Sequence, residues 1–164
     1  MRLPTVSDTL AVTTFRLAGV SDIDRMVVLF QMFFAESVLP TYGLEYDPKA
    51  MHDWLEDAIE TGRLPHIIAI DNETGAVVGS IAYALSRQYT SRPIAEMDKF
   101  YVLPSWRGSA IGNLLLTFAI DAAKGDGAAV LRAGVSSGLK ASHNLFRKFG
   151  FVETPHSILF VKEL

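Results

Sequence analysis

The stretch that decides the fold is Phe100-Tyr101-Val102-Leu103-Pro104-Ser105-Trp106-Arg107-Gly108-Ser109-Ala110-Ile111-Gly112-Asn113. An apolar, β-prone run ends at Pro104, a loop of small residues with one arginine follows, and residues 114–124 are typical of a helix. A strand leading through such a loop into a helix presents unpaired backbone N–H groups at the positive end of the helix dipole. Small side chains let a phosphate approach this backbone, and Arg107 adds a cation. The stretch therefore predicts a site for a phosphate-bearing ligand.

Length and composition exclude several classes of protein. The chain has 164 residues, 49% of them hydrophobic, which is enough to bury a core in one domain. A net charge of −3 without a basic stripe argues against nucleic acid as the main partner. The absence of cysteine excludes disulfides and a cysteine nucleophile, and the four histidines lack metal-ligand spacing. No metal site is predicted.

The chain shows no pattern for secretion or membrane insertion. The first residues lack the apolar core of a signal peptide. The most apolar helical stretch, residues 26–35, is interrupted by Gln31 and is too short to cross a bilayer. A cytoplasmic protein with no membrane partner is the expectation.

Hydrophobic periodicity and turn residues predict the order of the elements. Residues 1–12 are interpreted as a leader and residues 13–164 as one domain. The predicted strands are 13–17, 66–70, 76–85, 94–102, a buried central strand at 128–133, 151–152 and 157–161, and the predicted helices are 21–37, 48–61, 113–124 and 140–149. Ser21 is the predicted N-cap of the first helix. The strand–helix–strand order from 94 to 133 implies a parallel pair with a right-handed crossover, so the fold class is α/β with a mixed sheet.

Acidic side chains surround the first two predicted helices. The charge run on the second helix is typical of a solvated face. The alternative is an acidic rim that attracts a cationic substrate. Its members would be Glu36, Glu45, Asp47, Asp53 and Asp57.

The quoted stretch resembles the acetyl-CoA signature of the GNAT N-acetyltransferase superfamily. The matching pattern is Phe100-x-Val102-x-Pro104-x-x-Arg107-Gly108-Ser109-Ala110-Ile111-Gly112. A second segment, residues 142–151, is similar to the last helix of that family and the glycine and aromatic residue that follow it. The element order also fits, and the resemblance covers residues 13 to 162. It implies a single-domain GNAT-type fold with a splayed parallel pair of strands at its centre.

The resemblance implies acetyl-CoA as co-substrate and direct transfer of its acetyl group to a primary amine of a small molecule or protein. The backbone of residues 100–102 would pair with the pantetheine arm, and residues 107–113 would hold the pyrophosphate. The implied cofactor-binding residues are Phe100, Tyr101, Val102, Arg107, Gly108, Ser109, Ala110, Ile111, Gly112, Asn113 and Phe146. The family habit and the apolar first helix favour a homodimer.

Two positions depart from the family pattern. Ala110 replaces the first loop glycine, and alanine is small enough to permit close approach if its φ stays negative. Phe146 stands where a tyrosine often protonates the leaving thiolate, so Tyr101, His143 or water becomes the candidate acid. Phe146 also leaves open a non-catalytic acyl-CoA-binding or regulatory module. An acetyltransferase acting on aminoacyl-tRNA is a third alternative, which the lack of a basic surface disfavours.

Glu96 and Asp98 are the candidate general bases. Attack of an amine on a thioester requires a base to take a proton. Glu96 lies six residues before Val102, which matches the position of the base in some histone-acetylating members. Asp98 shares its strand face and lies nearer the acyl group. Strict alternation places Tyr101 on the opposite face.

The alternative for both carboxylates is an ordinary solvent-facing role. Lys99 and Arg132 are close enough in the predicted sheet to pair with them. The sequence does not choose between the two interpretations.

Overall fold

The computed structural model describes residues 5–87, 90–134 and 140–154, and within these the strands form one mixed sheet. The strands are β1 (Thr13–Leu17), β2 (His66–Asp71), β3 (Val77–Ser86), β4 (Ile94–Val102) and β5 (Val130–Ala133). They lie in chain order across the sheet. The first four strands pair antiparallel with their neighbours, and β5 runs parallel to β4. The predicted mixed α/β sheet with a parallel pair is confirmed.

The helices in these residues include all four of the predicted ones and one more. They are α1 (Val6–Val12), α2 (Ile23–Glu36), α3 (Pro48–Glu60), α4 (Ile111–Gly125) and α5 (Lys140–Lys148). α1 begins at a capping box. The amide of Thr5 donates to the carboxylate of Asp8 at 2.8 Å, and the amide of Asp8 donates to the hydroxyl of Thr5 at 3.2 Å. The segment interpreted as a leader therefore contains a helix that periodicity did not indicate.

The chain divides into two compact units, residues 1–133 and 134–164. The first unit contains the sheet and four of the helices, and α5 belongs to the second. Residues 151–152, predicted as a strand, have no regular secondary structure, and the predicted strand at 157–161 lies outside the described residues. A single domain from residue 13 to 164 stays a prediction.

α2 begins after a short 3-10 helix that ends at Asp22, not at a Ser21 cap. The Asp22 side chain is fully buried and accepts hydrogen bonds from Arg16 at 2.6 and 2.8 Å and from Arg25. Arg25 also donates to the carbonyl of Gly75 at 2.9 Å. The hydrogen bond from Arg16 and the two positive charges hold the pKa of Asp22 below its ordinary value. The cluster joins β1, α2 and the β2–β3 hairpin.

A β-bulge interrupts β4. Asp98 pairs with Ala82 and Tyr101 pairs with Ser80, which leaves two residues of β4 opposite one of β3. One of the two, Lys99, has a φ of 50°, a region that residues other than glycine rarely occupy. The extra residue shifts the alternation by one position, so Asp98 and Tyr101 face the same side. The prediction that they face opposite sides is wrong because strict alternation assumes a regular strand.

The two parallel strands, β4 and β5, are paired over only part of the length of β4. Within the described residues, β4 and β5 pair from Ile94 opposite Val130 to Met97 opposite Ala133, whereas β4 continues to Val102. A pair joined at one end and unpaired at the other is the arrangement that the resemblance implies. Val130 is 52% exposed, so β5 is not the buried strand that was predicted. Its described residues have a partner strand on one side alone.

The helices of the first unit cover both faces of the sheet. Ser80 faces the buried core beneath α2, which includes Phe30. Its neighbour Gly79 faces the opposite side, because adjacent residues of a strand alternate. A Cβ on Gly79 would lie 3.0 Å from Leu115 and 3.2 Å from Ile111, both in α4. The close approach of α4 to β3 fixes where the first turn of α4 lies.

Candidate active site

The stretch after β4 folds as its sequence predicts. A short 3-10 helix spans Pro104–Trp106, and α4 starts at Ile111. Gly108 has a φ of 83°, which glycine adopts at no steric cost. The hydroxyl of Ser109 accepts the amide of Ile111 at 3.3 Å and so ties the loop to the helix.

Backbone N–H groups are available where α4 begins. Among the described residues, the amides of Gly108, Gly112 and Asn113 donate to no protein acceptor. Ala110 has a φ of −76°, so alanine fits without strain at the position of the family glycine. An anion at this turn could accept several N–H groups together with the helix dipole.

Arg107, the cation of this loop, is bound to Glu36 and to the end of β4. Its Nη2 donates to Oε2 of Glu36 at 2.7 Å, and its Nε donates to the carbonyl oxygen of Val102 at 3.0 Å. The centre of the guanidinium lies 5.2 Å from the centre of the Tyr101 ring. The predicted phosphate-binding cation thus has protein partners in this structure.

Tyr101 lies beside the same carboxylate. Its hydroxyl donates to Oε1 of Glu36 at 2.6 Å, and its ring packs 5.5 Å from that of Phe33. Burial, together with the hydrogen bond to Glu36, raises the pKa of Tyr101 to about 12. Burial alone would raise the pKa of Glu36, but the hydrogen bonds from Tyr101 and Arg107 hold it below its ordinary value. A phenol so placed is a weak acid, and the role of Tyr101 as proton donor stays a prediction.

The two candidate bases are paired with different cations. Oε1 of Glu96 lies 3.3 Å from Nη1 of Arg132, and both side chains are more than half exposed. The carboxylate oxygens of Asp98 lie 3.1 and 3.2 Å from Nζ of Lys99. These are the partners that the solvent-facing alternative named. A base must reach the amine of the acceptor, so the catalytic roles of Glu96 and Asp98 stay predictions.

Aromatic side chains and a buried histidine lie next to the bulge. Nζ of Lys99 lies 5.0 Å from the ring centre of Trp54, within the range of a cation–π contact. His66 is 1% exposed, and its ring lies between those of Phe30 and Trp54, at 5.9 and 6.0 Å. Its Nδ1 is 3.3 Å from the hydroxyl of Ser80, and burial lowers the pKa of His66 to about 4. The imidazole is therefore neutral at physiological pH.

The acidic rim is largely neutralised by its own neighbours. Asp47 caps α3 by accepting backbone N–H groups. Asp53 pairs with Lys49 at 2.5 Å, and Asp57 pairs with Arg63 at 2.7 Å. These contacts weaken the electrostatic argument for a cationic acceptor.

Glu36 was predicted only as one member of that rim. It ends a helix that is largely apolar from Met26 onward, and its partner Arg107 lies 71 positions further along the chain. An acidic residue at a helix end does not indicate a distant partner, so no local signal identified it.

Phe146 belongs to α5 in the second unit. Its ring lies 5.0 Å from that of Phe151, and its carbonyl accepts the amide of Phe151 at 3.0 Å. Gly150 between them has a φ of 80°. The predicted helix, glycine and aromatic residue are present, and a contact of Phe146 with the cofactor stays a prediction.

The described ranges contain neither a helix fit to span a membrane nor a group of metal ligands. None of their helices has the length and hydrophobicity needed to cross a bilayer. Nor do three side chains of the metal-ligating types come together anywhere in these ranges.

Known proteins share both the sequence pattern and the fold. Residues 31–151 match the model of the Acetyltransferase (GNAT) family. The L-amino acid N-acyltransferase MnaT of Escherichia coli is 31% identical over 87 residues, which are 53% of this chain and 51% of that protein. The chain thus matches about half the length of that relative.

Two further relatives cover more of the chain. The L-methionine sulfoximine/L-methionine sulfone acetyltransferase of Pseudomonas aeruginosa is 26% identical over 138 residues, 84% of this chain and 79% of that protein. A crystal structure of an acetyltransferase from Trypanosoma brucei superposes with a TM-score of 0.74 at 16% identity, covering 92% of this chain and 99% of that one. The predictions of a GNAT-type fold and of an acetyl-CoA-dependent N-acetyltransferase are confirmed at the level of the family. The chain belongs to the acetyltransferase (GNAT) family.

Proposed function

We propose that this protein transfers the acetyl group of acetyl-CoA to the α-amino group of a free amino acid. The observation that carries the proposal is the ion pair of Lys99 and Asp98 at the bulge of β4, with oxygen–nitrogen distances of 3.1 and 3.2 Å. A free amino acid carries an ammonium and a carboxylate on one carbon, so a carboxylate and an ammonium side by side are complementary to it. The names of the two relatives, which refer to amino acids or their derivatives, support the same class.

Lys99 is suited to receive the substrate carboxylate. The bulge directs it to the face that also carries Asp98, and the side chain is 24% exposed. An ammonium has three donors, so contact with Asp98 and with the ring of Trp54 leaves capacity for a second carboxylate. Both contacts also limit the rotamers of Lys99, which lowers the entropic cost of binding.

The donor would lie along the free edge of β4, with its pyrophosphate at the start of α4. The amine nitrogen attacks the carbonyl carbon of the thioester, the carbon–sulfur bond breaks, and CoA leaves as a thiolate. Before the attack, a base removes one proton from the substrate ammonium and so gives the neutral amine. The nitrogen loses its second proton to water as the amide forms, and the thiolate takes up a proton from water or a protein group. We assign the base to Glu96, because its contact with Arg132 is a single one at 3.3 Å between side chains that are more than half exposed, whereas both carboxylate oxygens of Asp98 contact Lys99. No step requires an acyl-enzyme.

A homodimer is supported by the surface of α2. Val28 and Met32, four residues apart on that helix, are 64% and 44% exposed. Apolar side chains at this spacing form one stripe, and covering it with a second copy would remove it from water. Light scattering on the eluate of a gel-filtration column tests this proposal: a monomer at micromolar concentration contradicts it.

Matched pairs of acceptors test the proposed substrate class. L-leucine, its methyl ester and isoamylamine share a side chain but differ in the carboxylate, and thiol release from acetyl-CoA reports turnover with each. We expect kcat/KM for leucine to exceed that for isoamylamine by about tenfold or more, the value of one charge-assisted contact. Equal values for the three compounds would exclude recognition of the carboxylate. A preference for diamines would instead support the cationic acceptor.

A further inference from the structure

We infer that Glu36 is a positioning residue, which holds Arg107 across the open edge of β4 until acetyl-CoA displaces it. The inference goes beyond the identity of the acceptor and depends only on acetyl-CoA as donor. It follows from three groups: the carbonyl of Val102, the guanidinium of Arg107 and the carboxylate of Glu36.

The carbonyl of Val102 points to the unpaired edge of β4. The amide of Leu103 donates to the carbonyl of Val78 on β3 at 2.9 Å. Because the C=O and N–H of one peptide group point in opposite directions, the Val102 carbonyl faces away from β3. Within the described residues, β5 pairs with β4 only as far as Met97. This carbonyl therefore lies on the edge along which the pantetheine arm would pair.

Arg107 is hydrogen-bonded to that carbonyl in this structure. Its Nε donates to the Val102 oxygen at 3.0 Å, so an amide N–H of pantetheine could not use the same oxygen in the same direction. Its side chain is 46% exposed, and its guanidinium also lies 5.2 Å from the ring centre of Tyr101 on β4. The contact covers an edge that would otherwise present an unsatisfied acceptor.

Glu36 keeps the guanidinium in this place. One carboxylate oxygen accepts Nη2 of Arg107 at 2.7 Å, and the other accepts the hydroxyl of Tyr101 at 2.6 Å. Tyr101 is 7% exposed and fixed by the core, so it orients the carboxylate. Glu36 and the phosphates of the donor thus compete for one arginine, and a bound donor must separate Arg107 from Val102.

Calorimetric titration of Glu36→Gln with CoA, without an acceptor, tests the inference. Glutamine keeps an oxygen that accepts the Tyr101 hydroxyl but turns its NH₂ towards Arg107. An NH₂ group and a guanidinium are both hydrogen-bond donors, so this contact is lost. We expect CoA to bind about two- to fivefold more tightly than to the wild type at low salt, which is the range of an exposed ion pair. The gain should vanish at high salt, because screening already weakens the pair. Glu36→Asp, which keeps the charge, should restore the wild-type affinity.

Glu73→Gln is the control, because it changes the net charge equally at an exposed position of the β2–β3 hairpin. Its affinity for CoA should shift less than that of Glu36→Gln. Weaker binding to Glu36→Gln than to this control would overturn the inference, since Glu36 would then present Arg107 to the donor.

Arg107→Ala provides a second test that leaves α2 intact. Removing the side chain uncovers the Val102 carbonyl and also removes the cation. Pantetheine, which lacks phosphates, should therefore bind more tightly than to the wild type, measured by competition with CoA, whereas CoA should bind less tightly. Unchanged or weaker binding of pantetheine would show that Arg107 does not obstruct the edge.

Discussion

The ammonium of Lys99 lies 3.1 Å from a carboxylate oxygen of its neighbour Asp98, although adjacent residues of a regular strand face opposite sides. The bulge in β4 brings them together, and a φ of 50° at Lys99 is the conformational cost. Strained residues cluster at functional sites, and Lys99 adds a charged side chain at the end of the parallel pair. This pair carries the proposed choice of acceptor.

Lys99→Met should remove the preference for a free carboxylate. Methionine keeps much of the apolar volume beside Trp54 but cannot bind an anion. We expect kcat/KM for L-leucine to fall about tenfold or more, as for the loss of a charge-assisted contact, with isoamylamine changing about twofold at most. Thiol-release kinetics on both acceptors measure this. Lys99→Arg should keep most of the preference, and an equal loss on both acceptors in Lys99→Met would argue against the assignment.

Glu96→Gln should lower kcat much more than Asp98→Asn. Loss of a general base typically costs on the order of 10²–10⁴ in rate, whereas a partner of Lys99 affects mainly the KM of the acceptor. Raising the pH should recover part of the activity of Glu96→Gln, because more of the amine is then neutral. Rates measured from pH 6.5 to 9.5, a range chosen around the neutral-amine requirement, test both points. If Asp98→Asn has the larger loss in kcat, the base is Asp98.

Asp22→Asn should destabilise the first unit. The carboxylate is fully buried, and its removal leaves Arg16 and Arg25 without their anion. We expect a loss of about 2–3 kcal/mol in the free energy of unfolding, less than for fully buried pairs because both arginines are partly exposed. Urea denaturation of the two proteins measures the difference.

The pH dependence of that difference has a defined sign. The folded state lowers the pKa of Asp22, so its contribution is complete above the unfolded pKa and is lost as pH falls through the folded one. The gap between wild type and Asp22→Asn should therefore shrink below about pH 4. A gap that is constant from neutral pH to acid would contradict the ion-pair explanation.

Gly79→Ala should disturb the start of α4. The new methyl group would lie 3.0 Å from Leu115 and 3.2 Å from Ile111, both fully buried. We expect a loss of about 1–3 kcal/mol in stability from overpacking. We also expect weaker binding of CoA, because Ile111 begins the helix whose first amides form the predicted phosphate site, here called the cradle. Gly125→Ala is the control at the other end of α4, where a Cβ meets nothing within 4 Å. Tighter or unchanged binding of CoA by Gly79→Ala would show that this contact does not position the cradle.

Local chemistry predicted the strand, loop and helix of the quoted stretch well. The bounds of β4 and the loop into α4 follow from a β-prone run, a proline, small residues and an apolar helix, all within one stretch of sequence. The predicted N-cap of α2 was wrong because two ion pairs outweigh the capping preference of Ser21: Arg16 and Arg25 both bind the buried carboxylate of Asp22, the residue before the helix.

Two features of the candidate site depend on contacts between residues that sequence spacing does not bring together. The bulge at Lys99 exists only in the pairing of β4 with β3. Glu36 meets Tyr101 and Arg107 across 65 and 71 positions of the chain. Residues brought together by tertiary structure leave no periodic or local pattern, so the contact of Glu36 with Arg107 became visible only in the fold. The pairing of Asp98 with Lys99 was an alternative in the sequence, and the fold adds the bulge at which it occurs.

The central claim is the transfer of an acetyl group from acetyl-CoA to the α-amino group of a free amino acid. It is tested most directly by incubating the protein with L-leucine and acetyl-CoA that is isotopically labelled in its acetyl carbonyl, and by following the products by NMR. The account predicts that the label moves from the thioester to an amide in N-acetyl-leucine, in a one-to-one ratio with free CoA. Binding of acetyl-CoA without amide formation from any amino acid, or acetylation confined to amines without a carboxylate, would contradict it.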